Sequence, residues 1–216
     1  MNRRFESHLF WGSHSPLSIL TGTGMIILAS TRFAFALICT GAIIWVFGLS
    51  ALIYSCARSI LPNRLRSIVL LFLSSFLCGI FMFLVSLLNP LLILGTGFFL
   101  ILVPPCCLGS GFFEASESEY PVEVVSRALL EAGVLGGIII ALSLIREPLG
   151  MGTLSFPGGA QGIMEFSGGA EPFAPARILS MSAGGLLLLG YGTAIFRYFR
   201  EKSGGTPKDD VPEAPQ

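Results

Sequence analysis

Apolar residues run through this chain in unbroken stretches separated by short charged segments, and their length predicts membrane-spanning helices. Leu9 to Thr31, Phe33 to Ala57, Ser67 to Phe113 and Ile178 to Phe196 carry no Asp, Glu, Lys or Arg, and a shorter uncharged run covers Ala132 to Ile145. One helical crossing of a hydrocarbon core about 30 Å thick takes roughly 20 residues. The Ser67 to Phe113 run is long enough for two crossings. Ala128 to Leu130 and Glu131 extend the shortest run at its start. The pattern therefore predicts an all-α membrane protein with six transmembrane helices, near residues 15–31, 33–57, 67–89, 91–113, 128–145 and 178–197. They form a single transmembrane domain over residues 1–200. Arg3 and Arg4 before an apolar stretch also fit a signal peptide, but no A-x-A site follows that stretch. The Gly/Pro-rich segment 146–177 is expected to be a loop on the far side, forming an ordered cap or moving freely, and 203–216 a disordered tail.

Two of these helices carry interruptions at matching places. The first crossing contains Thr21, Gly22, Thr23 and Gly24; the fourth contains Pro104, Pro105, Cys106 and Cys107, within the segment PPCCLGSG that ends at Gly111. Prolines inside a helix remove backbone donors, and lipid cannot satisfy the carbonyls they free, so such a break must be buried in protein or face a cavity or cofactor. Three crossings per half put the two halves in opposite orientations, the layout of an inverted repeat. There, Gly/Pro-interrupted helices at equivalent positions mark a site near the midplane. Glycines in membrane helices also serve plain close packing, and TGTG admits that reading.

Composition confirms the class and charge adds orientation. Hydrophobic residues make up 53% and charged residues 12%, with a mean hydropathy of +0.78, which excludes an ordinary soluble domain. The formal net charge is zero and identifies no partner. Of the 13 Lys and Arg residues, Arg3, Arg4, Arg58, Arg64, Arg66, Arg127, Arg197, Arg200, Lys202 and Lys208 fall on the side shared by both termini; Arg32, Arg146 and Arg177 fall opposite. Positive residues favour the cytoplasm, so both termini are expected there. Arg146 and Glu147 end the fifth crossing and read as an interfacial anchor. Glu131 is expected to face the headgroups, and Glu114, Glu117, Glu119 and Glu123 to form a solvated acidic loop.

Cys39, Cys56, Cys78, Cys106 and Cys107 all lie in apolar segments, a poor pattern for structural disulfides. Buried cysteine commonly acts as a small hydrophobe, the expectation for Cys39, Cys56 and Cys78. Cys106 and Cys107 stand apart because of the prolines beside them. No zinc-type His/Cys spacing occurs, His8 and His14 read as surface residues near the start, and no nucleotide, flavin or quinone motif is visible.

These residues carry a resemblance to the Rnf/Nqr family of integral membrane subunits. LVPPCCLGSGFFEA, Leu102 to Ala115, is similar to the family's cysteine-bearing helix break followed by Glu-Ala. REPLGMGTL, Arg146 to Leu154, resembles its Arg-Glu-x-Leu-Gly-x-Gly-Thr-Leu motif, with Arg146, Glu147, Gly150, Gly152 and Thr153 in the motif positions. The second match is the more specific and points to the E-type (NqrD-type) member. The order of crossings and the loop SILPNRLRS fit from about Pro16 to Arg200.

The resemblance implies a subunit of an ion-translocating electron-transfer complex, itself without a catalytic residue. It would pair with a paralogous A-type subunit and share with it an intramembrane [2Fe-2S] cluster, each partner supplying two cysteines. Cys106 takes the family's second-half position as iron ligand, with Cys107 the adjacent alternative. The first-half cysteine is missing: its motif falls near Thr21 to Met25, and Pro105 replaces the family's second-half Asn. Cys39 stands about fifteen residues further on, roughly 22 Å along a continuous helix, falls in the second crossing, and is not expected to substitute. A cluster-free accessory or assembly subunit of such a complex, and a small-solute transporter using the two breaks, are the other readings.

Overall fold

A computed structural model describes residues 16–57, 65–109, 121–159, 162–167 and 177–202. The chain is a helical bundle closed at one end by a β-hairpin. Helix α1 is Pro16–Ala29, α2 is Phe33–Ala57 and α3 is Arg66–Leu88. Next come α4, Pro90–Leu100, α5, Val103–Gly109, and the long α6, Pro121–Met151. Strands β1, Thr153–Pro157, and β2, Ile163–Ser167, follow, then a 3₁₀ turn, Arg177–Ser180, and α7, Ser182–Lys202.

The segments Phe33–Ala57, Arg66–Leu88 and Val122–Met151 are helices long and apolar enough to cross a membrane; Pro90–Leu100 and Ser182–Ile195 are shorter apolar helices. Helix α1 has only 14 residues. Large apolar side chains on α3 and α4 point outward, with Phe72, Phe76, Leu88, Leu94 and Phe98 each at least 66% exposed. In water such a face would be an aggregation hazard. In a bilayer it is the ordinary lipid-facing surface.

The centre of the bundle is α2 against α6, the second helix of each half. Helix α2 buries Ala36, Cys39, Ile43, Val46, Phe47, Ser50, Ala51 and Tyr54, a stripe at helical spacing. Close approach explains the small residues. A Cβ on Gly136 would stand 2.4 Å from Thr40 Cγ2, while Thr40 Oγ1 donates to the Gly136 carbonyl at 3.4 Å. Such contacts are how membrane helices associate without a hydrophobic force between them.

Three connections meet at one end. Arg32, in the turn between α1 and α2, pairs with Glu165 of β2 at 2.7 Å, and Ala34 N donates to Ser155 Oγ of β1 at 3.3 Å. Asn89, extended between α3 and α4, accepts from Leu91 N and donates through Nδ2 to the Gly159 carbonyl, both at 3.1 Å. Its side chain caps α4, and Pro90 occupies the first helical position, where a missing N–H costs nothing. The strands run antiparallel in the register Thr153↔Ser167 to Pro157↔Ile163. Gly158, Gly159 and Gly162 turn them at positive φ.

Four expectations change. Helix α1 continues through Thr21 to Gly24, so TGTG is no backbone break. The fourth crossing does break, but at Ile101 and Leu102, just ahead of the prolines. Pro104 and Pro105 sit in the first turn of α5, the one place their missing N–H groups are tolerated. Helix α6 starts at Pro121 and runs to Met151, taking Glu123 from the expected acidic loop and residues 146–151 from the expected far-side loop. Part of that loop is the hairpin, an ordered cap. The remaining acidic residues of the loop, both histidines and the tail 203–216 lie outside the described residues.

Candidate functional site: a thiol layer beneath a polar joint

Helix α5 packs against α1, α2 and α3, and its two cysteines face a core to which α2 and α3 add Cys39 and Cys78. Each thiol is placed by a different local cause. Pro104 has no N–H to offer the Leu100 carbonyl one turn earlier, and Cys78 Sγ on α3 donates to that oxygen instead at 3.2 Å. Cys107, fully buried, has its Sγ 3.5 Å from Ser50 Oγ on α2. Cys106 is half-buried and turns toward α1, where a Cβ on Gly22 would lie 4.0 Å from its Sγ. Cys39, on α2 and buried, stands within electrostatic reach of both Cys106 and Cys78.

The turn between α1 and α2 sets the depth of Cys39. A continuous helix would carry it far from the level of Gly22, but the chain reverses at Ser30 to Arg32. At about 1.5 Å rise per residue, Gly22 stands about 10 Å before the end of α1 and Cys39 about 9 Å after the start of α2. The hairpin returns Cys39 to the depth it had left. Cys56, at the far end of α2, is exposed and belongs to no such group. Gly24 faces open space, Thr23 is half-buried, and Thr21 is part of the helical backbone.

Thiol hydrogen bonding divides the layer. Cys78 and Cys107 are committed to Leu100 and Ser50. Among the described residues the thiols of Cys39 and Cys106 have no hydrogen-bond partner. Nor are any three His, Cys, Asp or Glu side chains among those residues arranged to hold a metal ion by themselves.

Apart from the thiol layer lies the second constellation. Arg146 and Glu147 are each 1% exposed, so the expected interfacial anchor is a buried pair. All five guanidinium N–H donors of Arg146 are used. Nε donates to Leu179 O at 2.7 Å; Nη1 to Ile27 O at 2.6 Å and Ser30 Oγ at 3.1 Å; Nη2 to Ser180 O at 3.1 Å and Met181 O at 2.8 Å. These carbonyls close the C-terminal ends of α1 and of the 3₁₀ turn, where unpaired oxygens and the negative end of the helix dipole favour a cation. Glu147 does the converse. Its Oε2 accepts from Phe33 N at 2.5 Å, at the positive N-terminus of α2.

The glycines of the motif complete this joint. A Cβ on Gly150 would come within 2.9 Å of Ser180 N, so only glycine lets α6 lie flat on the 3₁₀ turn. Gly152, at φ 70°, stops α6 with its N–H bonded to Pro148 O at 3.0 Å, and Thr153 then opens β1. The motif is thus the joint fixing α1, α2, α6 and the hairpin to one another.

A family model described as Rnf-Nqr subunit, membrane protein, matches residues 7–191. The chain belongs to the Rnf/Nqr family. Both the thiol layer and the polar joint lie inside the matched span, and family membership makes the protein a membrane subunit of a multi-subunit complex of Rnf/Nqr kind. No curated protein matches the chain.

Sequence reading singled out Cys106, Cys107, the two prolines, Thr21 to Gly24 and the motif; it set Cys39 aside, took Cys78 as a small hydrophobe and did not name Ser50. Pro104 implied a Leu100 carbonyl in need of a donor, and that signal could have found Cys78. The spacing of Gly22 and Cys39 about the Thr31–Arg32 turn could have found Cys39.

Proposed function

We propose that this chain is the E-type membrane subunit of an Rnf/Nqr-type ion-translocating electron-transfer complex. In this reading it lies in a bacterial inner membrane with both termini cytoplasmic and pairs with a paralogous A-type subunit. It helps pass electrons across the bilayer through a [2Fe-2S] cluster shared between the two, with Cys106 as iron ligand. The observation that carries it is the half-buried Cys106, on a helix that restarts inside an apolar run, facing a glycine with no side chain in the way.

The donor chemistry fits the group. Iron in [2Fe-2S] clusters takes a four-thiolate shell. Ligands shared between two chains require no set of three within one. Cys107 is a poorer candidate, because its thiol turns toward Ser50 on α2. When bound, the cluster would supply a one-electron carrier part-way through a membrane that charge otherwise crosses at great cost. The chain's own part is positional. The helix break aims Cys106 toward α1, buried apolar side chains of α2, α3 and α5 exclude water, and the Arg146–Glu147 joint holds α1 and α2 in register. The hairpin then covers the periplasmic end.

A cluster-free accessory subunit is the competing reading, favoured by the absence of cysteine from α1. Isolating the complex through a tag on this chain decides the class. A paralogous membrane subunit should come with it, together with flavin- and iron-carrying subunits, and the preparation should transfer electrons between a soluble donor and acceptor. Recovery of this chain alone, with solute uptake in liposomes, would overturn the assignment.

A further inference from the structure

We propose that Cys39 on α2 is the second thiol this chain places beside Cys106, so that its two iron ligands come from α2 and α5 and none from α1. The inference rests on the cluster reading above and deepens it. The first support is position: the α1–α2 hairpin returns Cys39 to the depth of Gly22, and α5 packs on both helices. Cys39 is in electrostatic reach of Cys106.

The second support is vacancy on α1. Gly22 is the residue that faces Cys106, and it offers no donor atom; the space a side chain would fill beside that sulfur is open. The third is hydrogen bonding. Of the four thiols in the layer, Cys78 and Cys107 hold a carbonyl and a hydroxyl of their own chain. Cys39 and Cys106 are the two left uncommitted among the described residues. The last is chemistry. Thiolate sulfur is the donor that cluster iron takes, and Cys39 and Cys106 are both thiols. Each thiol releases its proton as its Fe–S bond forms, so the two ligands together release two.

The test uses the purified whole complex, reading iron content and the low-temperature EPR signal of the reduced cluster. Copurification of the other subunits serves as the control for folding. Cys39→Ser and Cys106→Ser should each lower the cluster signal by roughly tenfold or more, while Cys78→Ser and Cys107→Ser retain most of it. Adding Gly22→Cys to Cys39→Ser should restore signal, since a new thiol there would adjoin Cys106. Loss in Cys106→Ser with full signal in Cys39→Ser would overturn the α2 ligand and leave the cluster reading standing. A spectrum that neither substitution alters, in an assembled complex, would remove both. If Cys39→Ser fails to assemble, the double variant still decides: assembly and signal regained through Gly22→Cys support the proposal, and assembly without signal overturns it.

Discussion

The polar joint and the thiol layer treat unsatisfied groups in opposite ways. In the joint every donor of Arg146 has an acceptor, and Glu147 accepts the first backbone N–H of α2. In the thiol layer a broken helix and, among the described residues, two thiols without hydrogen-bond partners are kept inside the core. Full satisfaction gives a rigid hinge-free corner. Deliberate incompleteness leaves coordination capacity. The more recognisable motif is therefore the architectural one, and the proposed chemistry sits where fewer residues are specified.

Substitutions at the joint should have the largest effect on folding and none of their own on the thiols. Arg146→Ala strands four backbone carbonyls, and at roughly 1–3 kcal/mol for each buried group left unpaired it should abolish assembly, measured as folded complex recovered from membranes. Arg146→Lys should recover only a fraction, because an ammonium cannot span both helix ends. Gly184→Ala comes next. Its Cβ would stand 2.4 Å from Ile178 O and 2.5 Å from Leu179 Cα, backbone atoms that cannot step aside. Thermal unfolding in detergent should show a loss of about 1–3 kcal/mol or more.

At the thiol layer the effect of substitution should be small on stability and specific in kind. Cys78→Ser keeps a donor for Leu100 O and should leave melting unchanged, whereas Cys78→Val should cost about 1 kcal/mol by leaving that carbonyl unpaired. The smallest effect is expected at the exposed Arg32–Glu165 pair, where Arg32→Ala should change stability by about 1 kcal/mol or less. A larger loss there would mean that the hairpin, and not the Arg146 joint, holds the end of the bundle.

Helix class, the crossings at α2 and α3 and the membrane setting were legible from the length of uncharged runs, because burial in lipid demands continuous apolarity. The family was legible from Arg146 to Leu154. The role of that segment was not, since an Arg-Glu pair at a helix end looks the same whether it faces headgroups or grips two other helix ends. TGTG was misleading for a related reason. Glycine signals both breaks and close approach, and Gly22 shows neither: α1 runs on through it, and a Cβ there would meet only Cys106 Sγ, at 4.0 Å. Cys39 was discounted by distance along a helix, and the turn at Ser30 to Arg32 changed that distance into proximity. What sequence patterns carried poorly was the return path of the chain.

The central claim, that Cys106 holds iron for electron transfer, is tested most directly by the EPR spectrum of the reduced complex carrying Cys106→Ser. With subunit composition unchanged, one [2Fe-2S] signal should disappear while signals from soluble iron–sulfur subunits remain. A spectrum identical to that of the unsubstituted complex would contradict the claim.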